Sequence, residues 1–283
     1  MANEKISWEW EINSKTSWLG TSFRELLSYK DLLLQLVRRN FILYYQQTLL
    51  GPLWMLINPL LTVLVYMLIF NRVIGVPTQG VPAFAFYLAG ITLWTLFNDI
   101  LGGTSNFLTA NASVFSKVYF PRLVIPLSTT LLHLLRFLIQ VTILVIVVLY
   151  YHFTGKIDLS FPRVLLFIPV AMIMAGISLG MGLIFSVVVA KYKDVSNLMS
   201  LLTRLLMFLC PVFYSASIVP ANLQWLIKIN PMSSLFEHFR FAFLGTGSMS
   251  PQHLLYSFTM ALVLLTAGVM LTNKMGDKLL DVV

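Results

Sequence analysis

Residues 163–191 read RVLLFIPVAMIMAGISLGMGLIFSVVVAK, and the 27 positions between Arg163 and Lys191 carry no charge. A helix of about 20 mainly apolar residues crosses the hydrocarbon core of a bilayer, so this stretch alone is long enough to span. Gly176 and Gly180 form a GxxxG pair with Gly182 following, a spacing that lets a second helix approach closely.

The pattern repeats outward in both directions. Charge-free runs of 32 residues lie between Arg39 and Arg72, and of 26 between Arg72 and Asp99. Further runs hold 19 residues between Arg136 and Lys156, 23 between Arg204 and Lys228, and 33 between Arg240 and Lys274. Spans are predicted over 53–71, 83–105, 123–151, 164–189, 196–215 and 254–273. The expected fold is an all-α integral membrane protein with six transmembrane helices. Residues 1–52 form an N-terminal segment, and 53–283 a six-span domain.

Composition agrees. Of 283 residues 58% are hydrophobic and 11% charged, against roughly 25% charged in soluble domains. An ordinary soluble enzyme, a disordered chain and a coiled coil are excluded. The formal charge of +8 is not a nucleic-acid footprint, because the bases lie between apolar runs instead of on one solvated face. They are topology signals. With both termini cytoplasmic, thirteen Lys and Arg fall inside, five outside, and Arg136 within the third span.

Ser22 and Glu25 fit a capping box. Phe23, Leu26, Leu27, Leu33, Leu34, Val37 and Phe41 then follow helical spacing, with Arg24, Asp31, Gln35 and Arg38 turned away. That pattern predicts an amphipathic helix in the cytoplasmic interface, with Trp8, Trp10 and Trp18 as anchors and the lipids as partner. Packing of this helix on the protein itself is the alternative. The external stretch 216–253 is too apolar for a free loop. Pro220, Pro231 and a Ser234/Glu237 capping box predict two short re-entrant helices near 221–229 and 232–244, placed as an outer gate.

Catalytic signatures are missing. There is no GxxxxGK[ST] loop for ATP, since Gly155-Lys156 is followed by Ile157. The four histidines and Cys210 lack metal-ligand spacing, and one cysteine makes no intrachain disulfide. Neither cofactor nor enzymatic activity is expected in this chain. Asp99 and Arg136 are costly inside lipid and are read as an intramembrane ion pair, for packing or for transport. Arg38 and Arg39 stand at the headgroup level, as phosphate contacts or as topology signals alone.

Four short motifs carry a family resemblance. Tyr44-Tyr45-Gln46-Gln47-Thr48-Leu49-Leu50-Gly51-Pro52-Leu53-Trp54 with Pro59, Lys117-Val118-Tyr119-Phe120-Pro121-Arg122 with Pro126, Lys191-Tyr192-Lys193-Asp194, and Asn230-Pro231-Met232 with Arg240 resemble, in that order, permeases of polysaccharide-exporting ABC transporters. Those export O-antigen, capsule or teichoic acid across the bacterial inner membrane. The family often has basic residues at the positions of Tyr44 and Tyr45.

The resemblance implies a homodimer joined to two ATP-binding subunits, which would hold the ATP and Mg that this chain lacks. The cargo would be a polyprenyl-diphosphate-linked glycan. Lys117, Tyr119, Phe120, Pro121 and Arg122 would form the loop that couples to the ATPase, with Lys191, Lys193 and Asp194 as a further contact. The pathway would run between two permeases along spans one and five. Trp54, Tyr66, Phe70, Phe208, Phe213 and Tyr214 are therefore candidate lining residues, aromatic faces suiting a sliding sugar chain; an interfacial belt is the alternative. A small-molecule exporter of the same fold, a membrane transferase and a channel are the competing functions.

Overall fold

The computed structural model describes residues 23–280, apart from 47, 116, 119, 193 and 249. The predicted anchors Trp8, Trp10 and Trp18 and the cap Ser22 lie outside the described residues, as do Tyr119 and Lys193. All regular structure among the described residues is helical.

Two helices precede the first span: α1 (Phe23–Ser28) and α2 (Lys30–Tyr45). The single helix expected here is broken at Tyr29. Val37 is buried, whereas Leu27, Leu34, Ile42 and Leu43 are exposed.

The chain turns at Gly51, whose φ of +52° suits glycine, and Pro52 opens a short 3₁₀ turn. Helix α3 (Trp54–Tyr66) follows and runs on as a π-helical turn to Val73. The loop beyond leads to α4 (Ala83–Ser105), then α5 (Phe107–Ala110), α6 (Ala112–Phe115) and α7 (Val124–Phe153). After them come α8 (Phe161–Val164) and α9 (Phe167–Lys191).

Among the described residues, five segments are long and apolar enough to cross a membrane: Gly51–Val73, Ala83–Ser105, Val124–Phe153, Phe161–Lys191 and Pro251–Met275. The element expected over 196–215 differs. It is α10 (Val195–Leu209), only 15 residues, about 22 Å of helix against a hydrocarbon core of about 30 Å. Cys210 is extended, with ψ of 146°. The residue before a proline is pushed out of the helical region, so Pro211 terminates this helix instead of bending it. Arg204, counted in the sequence as an inside residue, lies within α10.

Helices α4 and α9 make the centre, α4 buried along most of its length and α9 chiefly along its middle. On its far side α4 meets α7, and α9 meets the last helix, α13 (Pro251–Leu280). Helix α2 lies along α7. The α9–α13 contact depends on small residues. A Cβ on Gly180 would stand 2.6 Å from the backbone of Leu264, and one on Gly268 would stand 2.8 Å from the Gly180 carbonyl oxygen. Buried hydroxyls satisfy themselves within a helix: Ser178 donates to the Met174 carbonyl at 2.7 Å and Thr104 to Ile100 at 2.6 Å.

The stretch expected to be external holds two short helices, α11 (Gln224–Ile229) and α12 (Pro231–Leu244). Pro231 opens α12 as expected, whereas the other start signals differ. Pro220 sits in the turn before α11, and the cap of α12 is Asn230, whose side chain accepts from the Met232 amide at 3.0 Å. Ser234 and Glu237 are interior helix residues with other partners. Helix α12 ends at Gly245, left-handed at φ +77°, and packs against α4, α9 and α13.

Candidate functional site

The break after α10 is held by a buried polar network. Pro211, Val212 and Tyr214 lie outside regular helix, so their carbonyls need donors. Arg240 of α12 supplies them, from a side chain 1% exposed. Its Nη2 donates to Pro211 O at 2.6 Å and Val212 O at 2.7 Å, and its Nη1 to Tyr214 O at 3.0 Å. The guanidinium lies over the Phe86 ring, 4.0 Å from the centroid, a cation–π contact of a desolvated Arg. Gly90 makes room, since a Cβ there would meet the Val212 carbonyl oxygen.

Glu237 neutralises that charge one turn earlier, with Oε1 3.3 Å from Arg240 Nη1. The same oxygen accepts from the Ala216 amide at 2.9 Å, and Oε2 accepts from the Ser248 amide at 3.0 Å and hydroxyl at 3.1 Å. Gln79, in the loop between α3 and α4, donates to the Ser215 and Ser217 hydroxyls at 2.6 and 3.0 Å. Its φ of +55° is left-handed, a strain kept only where surroundings enforce it. The network ties three segments of one end of the molecule into a single unit.

A second polar cluster lies between α4 and α7. Asp99 is 3.6 Å from Arg136 Nη1 and 3.6 Å from His133 Nδ1. Arg136 Nη1 also lies 3.4 Å from His133 Nδ1; a guanidinium only donates, so that bond uses the ring nitrogen's lone pair. Tyr44, from the end of α2, covers the guanidinium, with 4.3 Å from Arg136 Cζ to its ring centroid. An aromatic ring where the resembling family often has a base thus faces a cation supplied by α7.

The aromatic residues expected to line a path, on α3 with its π-helical extension and around the end of α10, divide. Tyr66, Phe70 and Phe213 come together: Phe213 stacks on Phe70 at 4.6 Å and 4° and meets Tyr66 at 4.5 Å. Being 1% exposed, Phe213 presents no face to a pathway in this conformation. Phe208 lies 5.9 Å from it and is itself exposed, as is Trp54. The Tyr214 hydroxyl donates back to the Phe208 carbonyl at 3.2 Å.

Residues 31–244 match the family described as ABC-2 type transporter. The chain belongs to the ABC-2 type transporter family. It is 26% identical over 252 residues to an O-antigen export system permease protein RfbA of Klebsiella pneumoniae, covering 89% of this chain and 95% of that protein. To the RfbA of Myxococcus xanthus it is 28% identical over 250 residues, covering 87% and 92%. To the capsule polysaccharide export inner-membrane protein CtrC of Neisseria meningitidis serogroup A it is 27% identical over 253 residues, covering 88% and 92%.

In this ABC-2 chain the loop between α4 and α7 is a packed structure with an exposed tip. Phe120 and Pro121 are buried, Phe120 against Phe115 at 5.5 Å, and Phe115 against Phe107 at 6.4 Å. Lys117 and Val118 are exposed and Arg122 is half-buried. Of the loop residues expected to touch a motor, Lys117 and Arg122 reach the surface, and the aromatic stack beneath sets their position. Lys191 and Asp194 are exposed, as are Arg38 and Arg39.

The sequence reading used Arg240 only as part of a resemblance and gave Glu237 a capping role. The available signal was two charges three residues apart in an otherwise apolar stretch. Among the described residues no three His, Cys, Asp or Glu side chains gather as a metal site.

Proposed function

We propose that this chain is the membrane subunit of an ABC exporter that moves a lipid-linked polysaccharide of the O-antigen or capsule type outward across a bacterial inner membrane. The observation that carries this reading is the match over nearly the whole length of permeases named for O-antigen and capsule export. The lack of a phosphate loop fits a separate ATPase partner.

Two copies pair with two ATPase subunits. Support comes from α10, whose Leu198, Leu201, Leu202, Leu205 and Leu209 are exposed, a face suited to a second copy. Leu61, Leu64 and Val65 of α3 and Leu68 of the π-helical turn after it are exposed likewise. Helix α10 and the irregular residues 210–218 together complete a sixth crossing, which returns the C-terminus to the cytoplasmic side with the N-terminus, as the charge bias favours. The Arg240–Glu237 network closes the outer end, α2 rests in the cytoplasmic interface, and Trp54 and Phe208 line the path between copies.

The test is depletion of the protein in cells, followed by measurement of polyprenyl-linked glycan inside and glycan at the surface. Accumulation inside with loss outside is the expected result. No change in either pool overturns polysaccharide export and leaves a small-molecule exporter.

A further inference from the structure

A cavity of about 380 Å³ lies between α4 and α10, within the ~300–1,000 Å³ typical of ligand sites. Its buried floor is Trp94, Leu101 and Met199, and its exposed rim is Asn98, Gly102, Asn106, Ser200 and Arg204. Thr203 and Ser196 add hydroxyls between them. None of the lining residues is acidic. Asp99 pairs with Arg136 and His133 of α7 and also accepts a hydrogen bond from the Asn98 side chain.

Arg204 is the charged residue of this wall. It stands nine residues beyond the start of α10 at Val195, about 14 Å along the helix axis. It has no hydrogen-bond or ion-pair partner among the described residues. A cation at such depth in a membrane protein is expensive unless it faces a partner or a wet cavity. A guanidinium on the wall of a cavity that Asn106 also lines offers N–H donors of the kind that phosphate oxygens accept from.

We infer that the α4–α10 cavity binds a phosphate or diphosphate group, with Arg204 as its main ligand and Asn106 as a supporting donor. The inference rests on the proposed export of a lipid-linked glycan and gives a phosphate-bearing headgroup a place within one subunit. Its apolar floor suits the first carbons of a lipid tail, while its rim meets the charge. This site is separate from Arg38 and Arg39, which lie on α2.

The test uses the full-length permease in complex with its ATPase, in nanodiscs of phosphatidylcholine. Binding is measured with radiolabelled farnesyl diphosphate, farnesol and inorganic pyrophosphate, for the parent and for Arg204→Gln, Arg204→Lys and Asn106→Leu. Saturable binding of farnesyl diphosphate is expected, weakened about tenfold or more by Arg204→Gln, a loss of about 1.4 kcal/mol. Arg204→Lys should retain part of it, and Asn106→Leu should weaken it with the thermal midpoint unchanged.

Competition by pyrophosphate identifies a site for the free anion as well; failure of pyrophosphate to compete identifies a lipid headgroup site. Both support the shared chemistry. Equal binding of farnesol, or binding indifferent to both Arg204→Gln and Asn106→Leu, overturns it. Because this readout is binding and not export, its failure leaves the depletion result standing, and a negative depletion result leaves the binding result standing.

Discussion

Arg240 and Glu237 meet at 3.3 Å with each side chain 1% exposed, and between them they satisfy backbone groups of residues 211, 212, 214, 216 and 248. A buried pair of this kind is not in itself a large source of stability, but removing one member strands the other. Arg240→Leu should therefore cost about 3–5 kcal/mol. Arg240→Lys should also be costly, because an ammonium cannot reach three carbonyls and a carboxylate in the planar fork geometry. Glu237→Gln, which keeps an acceptor for Ala216, should be milder. Thermal unfolding of the purified protein in detergent ranks the three; a neutral Arg240→Leu would sink the account.

Between α4 and α7, Asp99 is 25% exposed and Arg136 13% exposed, so their pairing is partly desolvated. Asp99→Ala should cost about 1–3 kcal/mol, less than for a fully buried pair. Arg136→Leu in that background should recover part of the loss, since it removes the stranded charge. Tyr44→Leu should lower stability by about 0.5–1 kcal/mol through the lost cation–π contact, and Tyr44→Phe, which keeps the ring face, should cost less. A double-mutant cycle on thermal midpoints checks all three; additive effects of Asp99→Ala and Arg136→Leu would show that the two do not couple.

Much of the fold was legible because a bilayer demands length and apolarity. The span predicted over 83–105 is α4 (Ala83–Ser105), with Pro82 before it and the turn at Asn106 after it. The end of α10 was not legible from hydropathy, since the sequence stays apolar through Val212 and Phe213. The stop lies in backbone geometry at Cys210-Pro211 and is made tolerable by Arg240, 29 residues further on. Local sequence does not display that partnership. The same reason hid the role of Glu237, whose donors lie 21 residues before and 11 residues after it. Tyr44 was visible as a departure from a family pattern, but its partner Arg136 becomes adjacent only when α2 folds onto α7.

The loop between α4 and α7 separates surface from support. Val118 is 58% exposed and Lys117 exposed, so Val118→Asp and Lys117→Glu should leave the thermal midpoint unchanged. Each should reduce the co-purified ATPase subunit about tenfold, an effect of about 1.4 kcal/mol. Phe120→Ala removes a ring that is 8% exposed and should lower the midpoint instead. Quantifying ATPase against permease in pulldowns, beside the melting curves, gives both readouts. Full ATPase recovery with Val118→Asp would count against this loop as the docking surface.

The α9–α13 contact allows a sharper test, because neighbouring glycines of one helix face different atoms. A Cβ at Gly180 meets the Leu264 backbone at 2.6 Å, which cannot swing away; one at Gly176 meets the tip of Leu265 at 3.3 Å, which can. Gly180→Ala should cost about 1–3 kcal/mol by overpacking. Gly176→Ala should be near neutral or stabilising, as alanine is favoured over glycine in a helix by about 1 kcal/mol. Gly268→Ala presses on the Gly180 carbonyl oxygen from the opposite helix and should resemble Gly180→Ala. The double substitution Gly180→Ala/Gly268→Ala should cost less than the two added, because one separation of α9 from α13 relieves both clashes. Thermal midpoints of the four variants decide it: equal effects at 176 and 180 would mean that the helices are not in the close contact described.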